Sequence, residues 1–165
     1  MNTELYRESN PVMPTMFSLL MAISLIALVF VLLYFTMSET IELNSAAGWT
    51  FISVILVVLF LAAFLFVFRI KTIVTYESLT VGLFRGRVVP IRDIDSVKTE
   101  EFSAMKDYLG WGIKIGRKGL GYITAGTNKG LRINLKTGKS FFISSKRTFE
   151  FESAVRMAIK SVRDH

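Results

Sequence analysis

KTIVTYESLTVGLFRGRVVPI, residues 71–91, decides the fold. Residues 71–76 alternate apolar and polar side chains and close at Glu77-Ser78, the pattern of a half-buried strand. Residues 79–84 repeat it and turn at Arg85-Gly86. Residues 87–91 make a third run, in which Pro90 marks an edge or an end because proline cannot donate to a ladder. Downstream, residues 94–100 read as another strand and residues 102–110 as an irregular loop. Residues 111–115, 120–124, 130–135 and 140–144 follow, each bounded by glycine or asparagine turns. The period then changes. After Thr148, an expected N-cap, Phe151, Val155, Ala158, Ile159 and Val162 recur at helical spacing, with Glu150, Glu152, Arg156, Lys160 and Arg163 on the other face. Seven or eight antiparallel strands and one amphipathic helix docked on them are predicted.

Upstream, the chemistry is different. The chain has 165 residues, is 52% hydrophobic and carries a net charge of +7. The charges are unevenly spread. Only Glu39 and Glu42 fall between Pro11 and Phe68, whereas residues 69–165 hold 19 Lys/Arg against 9 Asp/Glu. Two runs, FSLLMAISLIALVFVLLYF at 17–35 and WTFISVILVVLFLAAFLFVF at 49–68, lack charge, proline and glycine. At ~1.5 Å per residue each reaches roughly 30 Å, and both are apolar on every face. They are expected to span a membrane as a hairpin, with residues 1–16 as a lead-in, 36–48 as the connector and 69–165 as the second domain. Two buried core helices are the alternative, but 97 residues are few to wrap them. The first run is too long, and its lead-in too acidic, for a signal peptide.

The connector has two acids and no Lys or Arg, while Arg69 and Lys71 follow the second run. The positive-inside rule then puts the connector outside and both termini in the cytoplasm of a bacterial inner or plasma membrane. Neither run carries an ionisable residue, which disfavours transport.

The strand-then-helix order is that of pleckstrin-homology (PH) domains. Thr75-Tyr76-Glu77, residues 79–87 and residues 89–97 resemble the bacterial PH domain family, which commonly shows a Thr-led turn, a strand ending in Gly-Leu, a basic hairpin and an IP-x-x-x-I-x-x-V stretch. Here Val89 replaces the first isoleucine and the spacing is kept. Residues 111–116, 119–122, Gly126 and 130–133 look like those of small membrane proteins carrying this domain. The resemblance covers about residues 70–163. It implies an α+β fold, a PH-like antiparallel barrel or sandwich with a C-terminal amphipathic helix, and brings no catalytic residue.

Composition excludes several chemistries. There is no cysteine, and the one histidine is the final residue, His165. Thiolate catalysis, cysteine-type zinc and a Ser-His-Asp triad are therefore not expected, nor any metal or cofactor. Gly138-Lys139-Ser140 resembles the end of a P-loop, but Ile133 stands where the motif needs glycine and a strand follows it. Gly116-Arg117-Lys118-Gly119 is a hairpin tip that could hold an anion. Asp93, Asp95, Glu100 and Glu101 gather near one strand, with alternation placing Asp93 and Asp95 on one face.

The basic surplus carries the functional expectation. Arg69, Lys71, Arg85 and Arg87 are the first candidates for anionic lipid, with Arg117 and Lys118 next, then Lys146 and Arg147. Arg85 and Arg87 match the hairpin where phosphoinositide-binding PH domains concentrate basic residues. The expected function is a non-enzymatic integral membrane protein whose cytoplasmic domain binds a protein partner, its own copies or an anionic lipid surface, and no nucleic acid. The competing expectation is an envelope-associated enzyme or subunit using the acidic cluster, which requires Asp93, Asp95 and a basic loop to converge in one pocket.

Overall fold

The computed structural model describes residues 3–37, 46–84 and 86–163, apart from the side chains at 17, 32, 35–37, 46, 47, 50, 51 and 61–67. The chain divides into two compact units: residues 1–13 with 69–165, and residues 14–68.

In the first unit, β1 (Glu4–Pro11) runs antiparallel to β2 (Arg69–Thr75), so the expected lead-in is a strand. Tyr6, Glu8 and Asn10 face inward while Arg7 is exposed. β3 (Ser78–Gly82) and β4 (Arg87–Pro90) complete a four-stranded sheet in the order β1-β2-β3-β4. Its inner rows pair Val74 with Leu79 and Leu79 with Val89, all buried. At the β3–β4 bend Gly82 has φ +156, and a Cβ there would meet the Gly86 Cα at 2.7 Å, so the tight return needs glycine.

A single turn of 3-10 helix (Ile91–Asp93) leads into β5 (Ile94–Glu101). Within the expected loop lies a short helix, α3 (Ala104–Tyr108), capped by the Ser103 hydroxyl, which accepts from the Lys106 amide. β6 (Gly112–Gly116), β7 (Gly119–Ile123), β8 (Lys129–Leu135) and β9 (Ser140–Ser144) follow. The second sheet is ordered β5-β8-β9-β7-β6, and β7 and β9 are parallel, where antiparallel pairs were expected throughout. Phe102, Tyr108, Ile123 and Phe142 form one core cluster under this sheet, the Phe102 and Phe142 rings 5.0 Å apart. The last helix, α4 (Thr148–Arg163), buries Phe151, Val155 and Ala158 of the expected stripe together with Ala154, while Ile159 is half-buried and Val162 exposed. Thr148 opens that helix, and its hydroxyl donates to the Ser145 carbonyl at 3.0 Å.

The second unit is a pair of helices, α1 (Thr15–Met37) and α2 (Ala46–Val67), packed on each other. Apolar side chains, Phe30, Leu56 and Phe60 among them, are exposed along both. Residues 38–45 of the connector lie outside the described residues. Among the described residues, no helix is long and apolar enough to cross a membrane. A span needs about 20 unbroken apolar residues. The transmembrane hairpin of the expected fold class is corrected on this finding. The integral, multi-pass membrane assignment, the inner- or plasma-membrane location and the two-span membrane partnership fall with it. So does the inside-outside assignment of the termini, which depended on the spans.

Candidate functional site

A concavity lies between α4 and β5. It measures about 380 Å³ and is lined by Asp95, Ser96, Val97, Arg156, Ile159, Lys160 and Arg163. That size is within the range of small-ligand clefts.

Two local features build it. The first is a bulge in β5: the pairing with β8 shifts register between Ile94 and Ser96, leaving Asp95 as the extra residue. Ile94 and Val97, three apart, are therefore both buried, whereas an unbroken strand buries every second residue. The bulge sends Asp95 into the groove. The second is the helical period of α4, which brings Arg156, Lys160 and Arg163 to one face at spacings of four and three.

β5 is an end strand of its sheet. Its carbonyls at Val97 and Asp95 each accept a hydrogen bond at 3.3 Å, from Arg156 Nη2 and Arg163 Nη2. The arginines thus fasten α4 over a strand edge that would otherwise invite pairing. Arg156 is held further by Glu152, with Nε 2.8 Å from Oε1. Glu152 also accepts from the Thr99 hydroxyl at 2.6 Å, and these two bonds keep its carboxyl below the usual range. Each guanidinium retains unused N–H donors, because it has five and these bonds occupy only some. Lys160 makes no ion pair among the described residues. The groove is a preformed set of cations around one acid, with Ile159 as an apolar element.

Arg69, Lys71, Arg87, Arg117 and Lys118, the described members of the sequence-chosen set, do not form one site. Arg69 and Lys71 lie on β2 opposite β1: Arg69 Nη2 donates to the Ser9 carbonyl at 2.8 Å, and Lys71 lines a cleft of about 300 Å³ with Arg7, Glu8 and Ser9. Arg87 lays its guanidinium over the Phe141 ring, 4.9 Å from its centre. Lys118 is engaged by Asp107, Nζ to Oδ2 at 3.0 Å, and the Arg117 amide donates to the Asp107 carbonyl at 2.9 Å. The hairpin tip is thereby tied to α3. Arg85 lies outside the described residues.

No family model, no curated protein and no solved structure matches this chain. The site must be read from its own geometry. Asp93 and Asp95 do not converge: Asp95 enters the groove, while Asp93 sits in the 3-10 turn beside Arg92, 3.9 Å from its Nε. Among the described residues no group of three or more His, Cys, Asp or Glu could hold a metal ion.

Sequence reasoning missed the α4 cations as a site because a charged helix face reads as solvated. The detectable signal was the Ile94–Val97 spacing, which breaks the period of two and betrays the bulge. It also missed a second polar cluster. The Glu8 carboxylate, 8% exposed, accepts from Tyr6 Oη at 2.5 Å, Ser145 Oγ at 2.7 Å and the Lys146 amide at 3.0 Å. Tyr6 stacks on Phe151 with ring centres 5.1 Å apart. Every bond at Glu8 joins β1 to itself or to the segment entering α4, an arrangement that fastens a strand. Leu5 and Tyr6, adjacent inside ELYRESNP and so on opposite faces of a strand, carry no period-two hydropathy signal for it.

Proposed function

We propose that the unit formed by residues 1–13 and 69–165 is a non-catalytic binding module, and that the groove between α4 and β5 takes an acidic segment of a protein partner. The observation carrying this reading is the row Arg156, Lys160 and Arg163 along one wall of a 380 Å³ concavity whose described lining holds a single carboxylate, Asp95. Charge complementarity favours it further, since every Lys and Arg of the chain belongs to this unit. Among the described residues no second carboxylate lies beside Asp95 in the groove, which supports binding over general acid–base chemistry. The resemblance to bacterial PH domains is part of the same proposal. Two sheets followed by a C-terminal helix support it, while the parallel β7–β9 pair is a departure from an antiparallel meander.

The test is fluorescence anisotropy of a labelled oligoglutamate peptide against the full chain. Binding is expected at low salt, weakening as salt rises, and falling at least tenfold in the double variant Lys160→Glu, Arg163→Glu. Charge reversal at Lys114 and Lys139, outside the groove, is the control. Equal losses from both pairs of substitutions would reduce the effect to net charge and overturn the assignment to the groove.

A further inference from the structure

A second concavity, about 330 Å³, adjoins the end of α4 and is lined by Tyr76, Glu77, Pro90, Arg92 and Val162. Val162 is 40% exposed and Tyr76 39% exposed, so two large apolar side chains stand in the open there beside Pro90. Val162 and Arg163 are consecutive in α4, yet one lines this cleft and the other lines the basic groove. The last turn of one helix therefore separates a cationic groove from a cleft in which Tyr76, Pro90 and Val162 stand beside Glu77 and Arg92. We infer that the two clefts form one bipartite surface for an extended polypeptide, with acidic side chains on Arg156, Lys160 and Arg163 and an apolar anchor between Tyr76, Pro90 and Val162. This deepens the proposed function and rests on it for the acidic half.

The spacing follows from dimensions. A helix with its side chains is about 10 Å across, and an extended chain advances about 3.3 Å per residue. The anchor then stands about three residues from the acids. A polypeptide fits this surface better than a polyanion does. Asp95 lies among the cations, and Glu77 lines the second cleft. A continuous run of phosphates would meet both carboxylates, whereas a peptide can place an uncharged residue or a donor opposite each. Tyr76, Pro90 and Val162 supply apolar surface that phosphates cannot use, and Arg92 in the same cleft already lies 3.9 Å from the Asp93 carboxylate.

Three labelled peptides test this on the full chain: one with two glutamates and a leucine three residues beyond, one with serine for the leucine, and one with glutamines for the glutamates. The leucine peptide is expected to bind about tenfold more tightly than its serine counterpart, as burial of an aliphatic side chain commonly gives. Val162→Thr, close in shape but polar, is expected to erase that advantage while leaving serine-peptide affinity unchanged. Tyr76→Ser provides a second, independent variant, and far-UV circular dichroism checks that both remain folded. Equal affinity for the leucine and serine peptides, with Lys160→Glu still weakening both, overturns the anchor and leaves the groove standing. Indifference of all peptides to Lys160→Glu overturns the groove reading itself. Tighter binding of an RNA oligonucleotide or of phosphatidylserine vesicles than of the leucine peptide, unaffected by Val162→Thr, overturns a polypeptide as occupant.

Discussion

The carboxylate of Glu8 accepts a hydrogen bond from the hydroxyl of Ser145 at 2.7 Å, across 137 positions of sequence. The same Glu8 oxygen takes the Tyr6 hydroxyl, and its other oxygen takes the Lys146 amide. A buried carboxylate is costly unless its lone pairs are used, and here they are. Removing it strands the Lys146 amide near the start of α4 and leaves the Tyr6 and Ser145 hydroxyls to each other, 3.0 Å apart. Glu8→Ala is expected to destabilise the unit by about 3 kcal/mol and Glu8→Gln by about 2 kcal/mol. Urea unfolding followed by Trp111 fluorescence measures this. A Glu8→Ala variant as stable as the parent would show that β1 is held by its ladder alone.

The same cluster sets a pH dependence. Burial pushes the Glu8 carboxyl upward, but hydrogen bonds from Tyr6, Ser145, Asn10 and the Lys146 amide outweigh it, so its folded pKa lies below the ordinary 4.5. A group depressed on folding stabilises the fold fully above its unfolded pKa, and that stabilisation is lost as pH falls through the folded one. The stability gap between the parent and Glu8→Gln should therefore be constant at neutral pH and shrink below about pH 4.3. Asp107 and Glu152 are shifted in the same direction, so the variant retains part of its acid sensitivity. Unfolding curves at several pH values check this. A gap that stays constant into strong acid would remove the bonded carboxylate as its source.

Hydropathy made some of this fold legible and concealed the rest. The strands between residues 71 and 91 and between 140 and 144 bury alternate or successive apolar side chains, and period-two runs bounded by turns announce them. α4 was equally plain, because its apolar stripe is continuous. β1 was not. Its inward row is Tyr6, Glu8 and Asn10, two of them polar, so the strand is specified by hydrogen bonds that form only when Ser145 and Lys146 arrive from the far end of the chain. The groove failed to appear for a related reason: it depends on a bulge at Asp95, and a single inserted residue moves a side chain without altering composition. The apolar runs at 17–35 and 49–68 were legible as helices, but their length as apolar runs did not establish a span.

Backbone crowding at Gly130 gives a sharper test of the second sheet. Gly130 lies in β8 between Glu100 of β5 and Ser144 of β9. A Cβ built there runs into the Ile143 carbonyl oxygen and comes within 2.7 Å of the Ser144 Cα, both main-chain atoms that cannot swing aside. Gly130→Ala should cost about 2–3 kcal/mol or prevent folding. Gly138, with φ +80 and nothing within 4 Å of its Cβ position, has only conformational strain to bear, so Gly138→Ala should cost about 1 kcal/mol. Thermal denaturation of the two variants compares them. The reverse order would contradict the β8–β9 pairing.

Leu109 offers the opposite sign. It terminates α3 with φ 59, the one non-glycine residue with positive φ among the described residues, and its side chain is 81% exposed. The left-handed conformation costs an L-residue about 1–2 kcal/mol, and so exposed a leucine recovers little of that by packing. Its amide still closes the helix onto the Ala104 and Met105 carbonyls, bonds that glycine can make equally well. Leu109→Gly relieves the strain and costs about 0.5–1 kcal/mol in chain entropy. The expected result is a gain of about 0.5–1 kcal/mol, read from the urea midpoint at unchanged slope. A loss instead would mean that the Leu109 side chain is covered in solution, which peptide or self-association measurements at this corner would then pursue.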